Sequence, residues 1–248
     1  SLWALRFLFH ACIGVMAGVV VERVLGEDPG LREYGWLHLI LFAFLAGSYV
    51  VFCASREAVL PPKRAATSSR PWTLVKSIPA TLRADKIFRQ FLITKVAFHW
   101  VFFVIPFMGV HALQTTGRGE GFLGVLLSWQ MGGMVLGNLV AGYLGDRKGG
   151  RAVLLVGYLL LLGLCLLYPW METGTSFIAM FVLFGLGFAF TNVGGQTLDL
   201  EISPVHRRVS SFALIGWANL LGILMASVSA GQLRAAGCHI HVLAALAV

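Results

Sequence analysis

The sequence predicts an all-α protein that crosses a membrane several times. Hydrophobic residues make up 58% of its 248 residues and charged residues only 12%, about half the charged fraction of an ordinary soluble domain. The mean hydropathy of +0.81 comes from apolar runs of roughly the 20 residues that a helix needs to cross the hydrocarbon core. Because lipid offers the backbone no hydrogen-bond partner, we expect these runs to be helices.

Seven runs are long enough to cross the bilayer and an eighth is not. In chain order, the full runs cover residues 2–21, 36–54, 91–113, 122–144, 152–171, 176–198 and 209–233. The eighth, residues 239–248, has ten residues, about half of what a crossing needs. We therefore expect a bundle of seven full transmembrane helices and part of an eighth. Since both ends of the chain lie in apolar runs, we expect a fragment.

The cysteines predict no metal or disulfide framework, and we expect no cofactor. The four cysteines lie in or beside the apolar runs, at Cys12, Cys53, Cys165 and Cys238. Without a CxxC pair among them, neither a disulfide framework nor a zinc site is expected.

The basic residues predict the orientation in the membrane. The net charge is +8, and 13 of the 19 basic residues lie in three connections, at positions 56–89, 147–151 and 207–208. The intervening connections hold four, Arg23, Arg32, Arg118 and Arg234. The positive-inside rule places the three basic connections in the cytoplasm. The charge is thus explained by topology, and nucleic-acid binding is not expected.

The connection at residues 55–90 divides the chain. It contains Pro61 and Pro62, a polar run at 63–70 and two further prolines, which break helices and predict an irregular linker. From Thr81 onward the pattern is amphipathic, which fits either a helix in the membrane plane or an extension of the third run. We expect residues 1–54 to form two helices, 55–90 a cytoplasmic linker, and 91–248 a second, truncated bundle.

The connection after the fourth run carries a motif. It reads Gly-Tyr-Leu-Gly-Asp-Arg-Lys-Gly-Gly-Arg over residues 142–151. Gly142 allows close helix approach, Asp146 and Arg147 place opposite charges at a helix end, and Gly149 permits a tight reversal. The motif resembles the signature loop of the major facilitator superfamily, with Gly150 where that family usually has Arg.

The resemblance implies an arrangement for the whole chain. In that family the loop follows helix two and recurs, usually degenerately, after helix eight, and a long linker joins two halves of six helices. This chain would then hold helices five to eleven and part of twelve, and its partners would include the missing N-terminal helices of the same protein. By the same resemblance, a cytoplasmic gate would comprise Gly142, Asp146, Arg147, Gly149, Arg151, Glu201 and Arg208.

Polar residues inside the runs are the candidates for a solute path. In the sixth run, Phe188, Asn192 and Gln196 recur on one helix face, and Asp199, just after the run, continues it. The full set of candidates is His10, Lys95, His99, Gln130, Asn138, Asn192, Gln196 and Asn219. Lys95 could equally reach the interface along its aliphatic stem, and an amide in a span could instead bond a neighbouring helix.

The runs as drawn contain no Asp or Glu, because Asp199 and Glu201 follow the sixth run. A coupling proton would then need His10, His99 or an acid in the missing helices. Basic and neutral groups alone favour a neutral or anionic solute. The segment from Gly14 to Gly18 lacks the proline of the pattern that antiporters of the family often carry, which disfavours antiport.

The sequence therefore predicts a secondary transporter or facilitator that moves a small solute by alternating access, and not an enzyme. The alternative is a membrane-embedded receptor or enzyme of another polytopic class. An enzyme would need convergent catalytic groups at one depth, and the runs contain no histidine cluster or acid pair. As a default, we expect a multi-pass protein of a bacterial inner membrane.

Overall fold

The structure, a computed structural model, is all-helical over the residues that it describes, which are 2–27, 29–54, 82–83, 85–203 and 208–239. Two 3₁₀ segments, His99–Phe103 and Tyr168–Trp170, lie between α-helices. The α-helices are α1 (Leu2–Leu25), α2 (Leu31–Ala54), α3 (Lys86–Phe98), α4 (Ile105–Thr116), α5 (Phe122–Leu167), α6 (Gly174–Ile202) and α7 (Arg208–Ala235).

Six helical runs in the described residues are long and apolar enough to cross a membrane, whereas the sequence predicts seven full spans. The difference lies in α5, which joins the fourth and fifth predicted runs into one 46-residue element. Most of the predicted eighth run, residues 240–248, lies outside the described residues, as do 55–81 of the predicted linker.

Helix α5 changes direction at Gly149. This residue has φ of 79° and ψ of 170°, a combination that is essentially restricted to glycine. Residues 122–148, the first arm, run parallel to α6, since Leu126 clusters with Phe177 and Ala141 with Val193. Residues 150–167, the second arm, run antiparallel to α6 and lie beside it through glycines at 150, 157, 187 and 194. The two arms therefore form a hairpin against a common helix.

Small residues set the distance between α5 and α6. A Cβ at Gly185 would overlap the backbone at Gln130, and one at Gly133 would overlap Val182. Backbones approach this closely only where side chains are absent, which is typical of helix contacts in membranes. The hairpin and α6 form the best-packed part of the molecule, with Leu126, Leu164 and Phe177 fully buried.

Helix α1 lies antiparallel along the first arm of α5. Ala4 faces Gly142 at one end, and the Gly121 N–H donates to the carbonyl of Gly26 at 2.6 Å at the other. By contrast, α2 has no buried residue. Its apolar side chains, among them Phe44 at 75% exposure, match a helix that faces lipid or a further helix.

Helix α3 settles the two interpretations of the amphipathic stretch. It begins after Asp85, whose Oδ1 accepts a hydrogen bond from the Phe88 N–H at 2.9 Å and caps the helix. Phe88 and Phe91 are buried against Ile215 on α7. Residues 86–90 are thus packed in the bundle as an N-terminal extension of the third predicted span.

The third predicted span is interrupted halfway. Its α-helix gives way to 3₁₀ geometry at His99–Phe103 and resumes at Ile105. Pro106 is among the first residues of α4. Proline has no backbone N–H to donate, so it is tolerated in the first turn of a helix but not in its interior. Helix α7 follows the whole interrupted span in parallel, from Ile215 beside α3 to Ala230 beside Phe103.

Candidate functional site

A cavity of about 200 Å³ opens between α3, the second arm of α5, α6 and α7. All four helices contribute aromatic or aliphatic walls, and most of the polar groups come from α6. The polar and charged lining residues are Lys95, His99, Tyr158, Thr191, Asn192, Gln196, Asp199 and Asn219.

A buried ion pair forms one wall of this cavity. The Lys95 Nζ lies 3.0 Å from Asp199 Oδ1 and donates to Oδ2 at 3.3 Å. Only 11% of the lysine side chain and 6% of the aspartate side chain are exposed. The pair therefore ties α3 to α6 at a point where water does not solvate either charge fully.

The structure corrects one sequence expectation about this pair and bears on one alternative that the sequence leaves open. Helix α6 extends to Ile202, so Asp199 lies within a membrane-capable run and the spans do contain acidic residues. The Lys95 side chain is buried and bonded to Asp199, which favours a position in the cavity over the alternative of an extension along its stem to the interface. The candidate path is consequently neutral at this point, with one positive and one negative group.

Glycines make room for the side chains of Lys95 and His99. A Cβ at Gly195 would lie 3.2 Å from the Lys95 Nζ, so the absent side chain on α6 leaves space for the ammonium group. A Cβ at Gly222 would come within 2.9 Å of the His99 ring. The His99 Nδ1 also lies 2.6 Å from the Lys95 carbonyl oxygen, which fixes the imidazole against its own helix.

The polar helix face that the sequence predicts around the sixth run lines the cavity. Phe188, Asn192, Gln196 and Asp199 all line the cavity, since residues four positions apart stack on one side of a helix. From α7, Asn219 completes the polar wall, and its buried Oδ1 has no hydrogen-bond partner among the described residues. Such a buried acceptor is costly unless water or a ligand group supplies a donor.

The structure does not bring every candidate to this cavity. His10 is exposed on α1, and Gln130 is half-buried on the first arm of α5. Asn138, also on that arm, is fully buried, and neither its Oδ1 nor its Nδ2 has a hydrogen-bond partner among the described residues. These three residues are not among those that line the cavity.

Sequence reasoning missed two lining residues, Tyr158 and Thr191. Tyr158 stacks on Phe98 with ring centroids 5.0 Å apart, and the Thr191 hydroxyl donates to its own helix at Phe188. Residue type carried little signal at either position, because tyrosine and threonine are common in membrane helices without a ligand.

The motif loop and the end of α6 meet. The Gly150 N–H donates to Glu201 Oε1 at 3.5 Å, a long bond, and the Arg147 guanidinium lies over the Tyr143 ring at 4.3 Å from its centroid. Asp146, Arg151 and Arg208 are exposed. The residues between the end of α6 and α7, 204–207, lie outside the described residues.

Among the described residues, no group of three or more His, Cys, Asp and Glu side chains is arranged to hold a metal ion. The chemistry available in the cavity is therefore that of one ammonium, one carboxylate, one imidazole and several amides and hydroxyls. These groups can bind and orient a small polar molecule.

Residues 6–227 match the family model of the Major Facilitator Superfamily. The chain belongs to this superfamily. The match covers most of the chain and includes the helices around the cavity and the motif loop. It identifies a multi-pass membrane protein of a family of transporters.

Three similar proteins come from mammals. The chain is 35% identical to solute carrier family 22 member 6 of Rattus norvegicus over 105 residues, 41% of this chain and 19% of the relative. The proteins of the same name from Mus musculus and Oryctolagus cuniculus are 34% and 32% identical over similar lengths. Each match thus spans about a fifth of the relative. These relatives give no support to a bacterial inner membrane, and no solved structure matches the chain.

Proposed function

We propose that this protein moves a small solute across a membrane by alternating access, and that the cavity beside the Lys95–Asp199 pair is part of the solute path. The observation that carries this proposal is the cavity itself, in which an ammonium, a carboxylate and three amides converge between helices. Membrane-buried ionisable groups are rare and mark solute and ion paths. The names of the relatives, which are solute carriers, agree with a small-molecule cargo.

In this proposal the chain contributes to two bundles. Residues 1–54 are the last two helices of one, 55–90 are a cytoplasmic linker, and 91–248 belong to the other. The reversal at Gly149 supports a division of α5 into two crossings, since its arms lie on α6 in opposite directions. Counted this way, the chain has seven full spans and part of an eighth, and four further helices would complete the N-terminal bundle.

We assign the cytoplasmic gate to the motif loop and the end of α6. The contact of Gly150 with Glu201 supports this assignment because it joins the loop to the helix that carries Asn192, Gln196 and Asp199. Movement of the loop would then be transmitted to the cavity wall. Asp146, Arg147, Arg151 and Arg208 would supply the charges of the closed state, with Gly142 and Gly149 fixing the path of the chain.

Transport can be tested with the full-length protein in proteoliposomes and a panel of labelled sugars, organic anions and organic cations. We expect uptake of at least one solute, a rise in its KM of tenfold or more in Gln196→Leu, and no change in the matched variant Gln232→Leu, because Gln232 is exposed at the far end of α7. For the gate, Asp146→Asn should lower the rate and leave binding intact.

Equal uptake kinetics in the wild type and Gln196→Leu would exclude the cavity from the path. If the wild type moved no member of the panel, the proposal of transport itself would be contradicted, and a receptor function would be the next to test.

A further inference from the structure

One exposed face of α3 changes from basic to apolar along its length. Lys86 and Arg89 are exposed in the first turn. Ile93, Ala97 and Trp100 are exposed in the turns that follow and in the 3₁₀ segment. These five positions have the three- and four-residue spacing that places side chains on one side of a helix. The opposite side of α3 is buried in the bundle, so this exposed face points away from the protein.

The basic end of the exposed face attracts a negative charge from outside the described chain. Arg83, just before the helix, is exposed as well. Among the described residues, no carboxylate forms an ion pair with Arg83, Lys86 or Arg89. The acid between them, Asp85, caps α3 by accepting a hydrogen bond from the Phe88 N–H. The positive end of the helix dipole adds to the three positive charges at this level.

The apolar end of the exposed face contains a groove of about 320 Å³. The lining residues are Leu92, Ile93, Val96, Ala97 and Trp100. Ala97 is the smallest of them, and the Trp100 ring is held at the far end by stacking on Phe103, with centroids 5.1 Å apart. Ile93 is 62% exposed. The groove therefore suits an apolar chain and offers little to a water-soluble anion.

The distance between the two ends matches one leaflet of a bilayer. With a rise of about 1.5 Å per residue, Lys86 and Trp100 lie roughly 21 Å apart along the helix axis. This is about half of a bilayer of ~40–45 Å with its headgroups. Helix α3 begins a membrane-capable run, and it follows the connection that the positive-inside rule predicts in the cytoplasm. The basic end then lies at the level of the cytoplasmic phosphates, and the groove lies in the hydrocarbon below them.

We propose that the exposed face of α3 binds one anionic phospholipid of the cytoplasmic leaflet. The phosphate and headgroup contact Arg83, Lys86 and Arg89, and one acyl chain lies in the groove against Ala97 and Trp100. The cytoplasmic leaflet is rich in anionic lipid, and basic residues beside a span attract it. A zwitterionic lipid fits the groove equally well, so the selectivity comes from the basic end.

The lipid site differs from an ordinary basic flank and from the solute cavity. Basic residues that only set the orientation of a span can lie on any side of it, whereas Lys86 and Arg89 lie in line with the groove. From α3, the cavity is lined by Lys95, Phe98 and His99, none of which belongs to the exposed face. The proposal is therefore independent of the proposed transport function.

The test uses Trp100 as the reporter and bromine on the acyl chain as the quencher. Purified full-length protein is placed in phosphatidylcholine nanodiscs with a small fraction of brominated phosphatidylserine or, in parallel, brominated phosphatidylcholine. The fluorescence difference between the wild type and Trp100→Phe isolates Trp100 from the other tryptophans. We expect brominated phosphatidylserine to quench Trp100 at about one tenth of the fraction that brominated phosphatidylcholine requires. This preference should shrink as salt is added, because the basic residues are exposed.

Variants separate the two ends of the site. Lys86→Gln/Arg89→Gln should reduce the preference for phosphatidylserine to about twofold or less. The matched control Arg23→Gln/Arg32→Gln removes two exposed basic residues from the ends of α1 and α2 and should keep the wild-type preference. Ala97→Leu fills the groove without changing a charge, and it should weaken quenching by both lipids.

Three results would overturn the proposal. The first is equal quenching by the two brominated lipids in the wild type, or a preference that survives Lys86→Gln/Arg89→Gln. The second is competition by glycerophosphoserine, a headgroup without acyl chains, which would show a site for a soluble phosphate instead of a lipid. The third is absence of Trp100 quenching by either lipid, which would show that protein covers this face, with the apolar run from residue 239 onward as the first occupant to test.

Discussion

Replacing Lys95 by methionine keeps the length of the side chain and leaves the Asp199 carboxylate buried without its positive partner. The carboxylate can escape this situation by binding a proton, and that limits the cost. An aspartate in water titrates near pH 3.9, and each pH unit above this value is worth about 1.36 kcal/mol. The free energy of unfolding should therefore fall by up to about 4 kcal/mol at pH 7 but only by about 1.5 kcal/mol at pH 5.

The sign follows from where the proton is bound. In Lys95→Met the folded state keeps a proton on Asp199 that the unfolded state releases above pH 4, so the destabilisation grows as pH rises. Asp199→Asn has the opposite dependence. It leaves a buried ammonium that can give up its proton. The free energy of unfolding should fall by up to about 5 kcal/mol at pH 7 and by about 2 kcal/mol at pH 9, because lysine in water titrates near 10.4.

The double variant Lys95→Met/Asp199→Asn removes both charges and should lie within about 1 kcal/mol of the wild type at every pH. Unfolding of the full-length protein with increasing SDS in mixed micelles, from pH 5 to pH 9, measures all four forms. Equal, pH-independent losses in the two single variants would refute the reasoning, since they would show that neither remaining charge is buried.

Three glycines give further predictions, measured against Gly163→Ala, whose added Cβ meets no atom within 4 Å. Gly149→Ala forces an unfavourable backbone conformation and should cost about 1–3 kcal/mol of unfolding free energy. Gly185→Ala should cost a similar 1–3 kcal/mol, roughly, because its Cβ would overlap the α5 backbone. Gly195→Ala should raise the solute KM severalfold with little loss of stability, since its Cβ would meet the flexible end of Lys95. Any of the three that matched the control in SDS unfolding and uptake would contradict the corresponding contact.

The sequence predicts the helical class and the position of most helices because twenty apolar residues have few other uses. It also predicts the reversal at Gly149, where the motif requires a residue without a side chain. It does not predict where α6 ends. Hydropathy falls at Asp199, so the run is drawn to stop there, whereas the helix continues to Ile202 and Asp199 is paired with Lys95.

The candidate site was only partly accessible to sequence reasoning. Helical spacing alone places Asn192, Gln196 and Asp199 on one face, and the structure has all three at the cavity. The pairing with Lys95 depends on how α3 packs against α6, and spacing along one helix contains no information about another helix. For the same reason the sequence could not show that His10 and Gln130, which are equally polar, lie away from the cavity.

The separation of contacts along the chain has a consequence for how the protein assembles during synthesis. Both arms of α5 and α6 follow one another with short connections, at Gly149 and residues 168–173, so their glycine contacts can form as soon as α6 leaves the ribosome. The bond from Lys95 to Asp199 spans 104 residues. Helix α3 is therefore inserted before the partner of its lysine has been synthesised. The ion pair, and with it the cavity, can form only after α6 has entered the membrane.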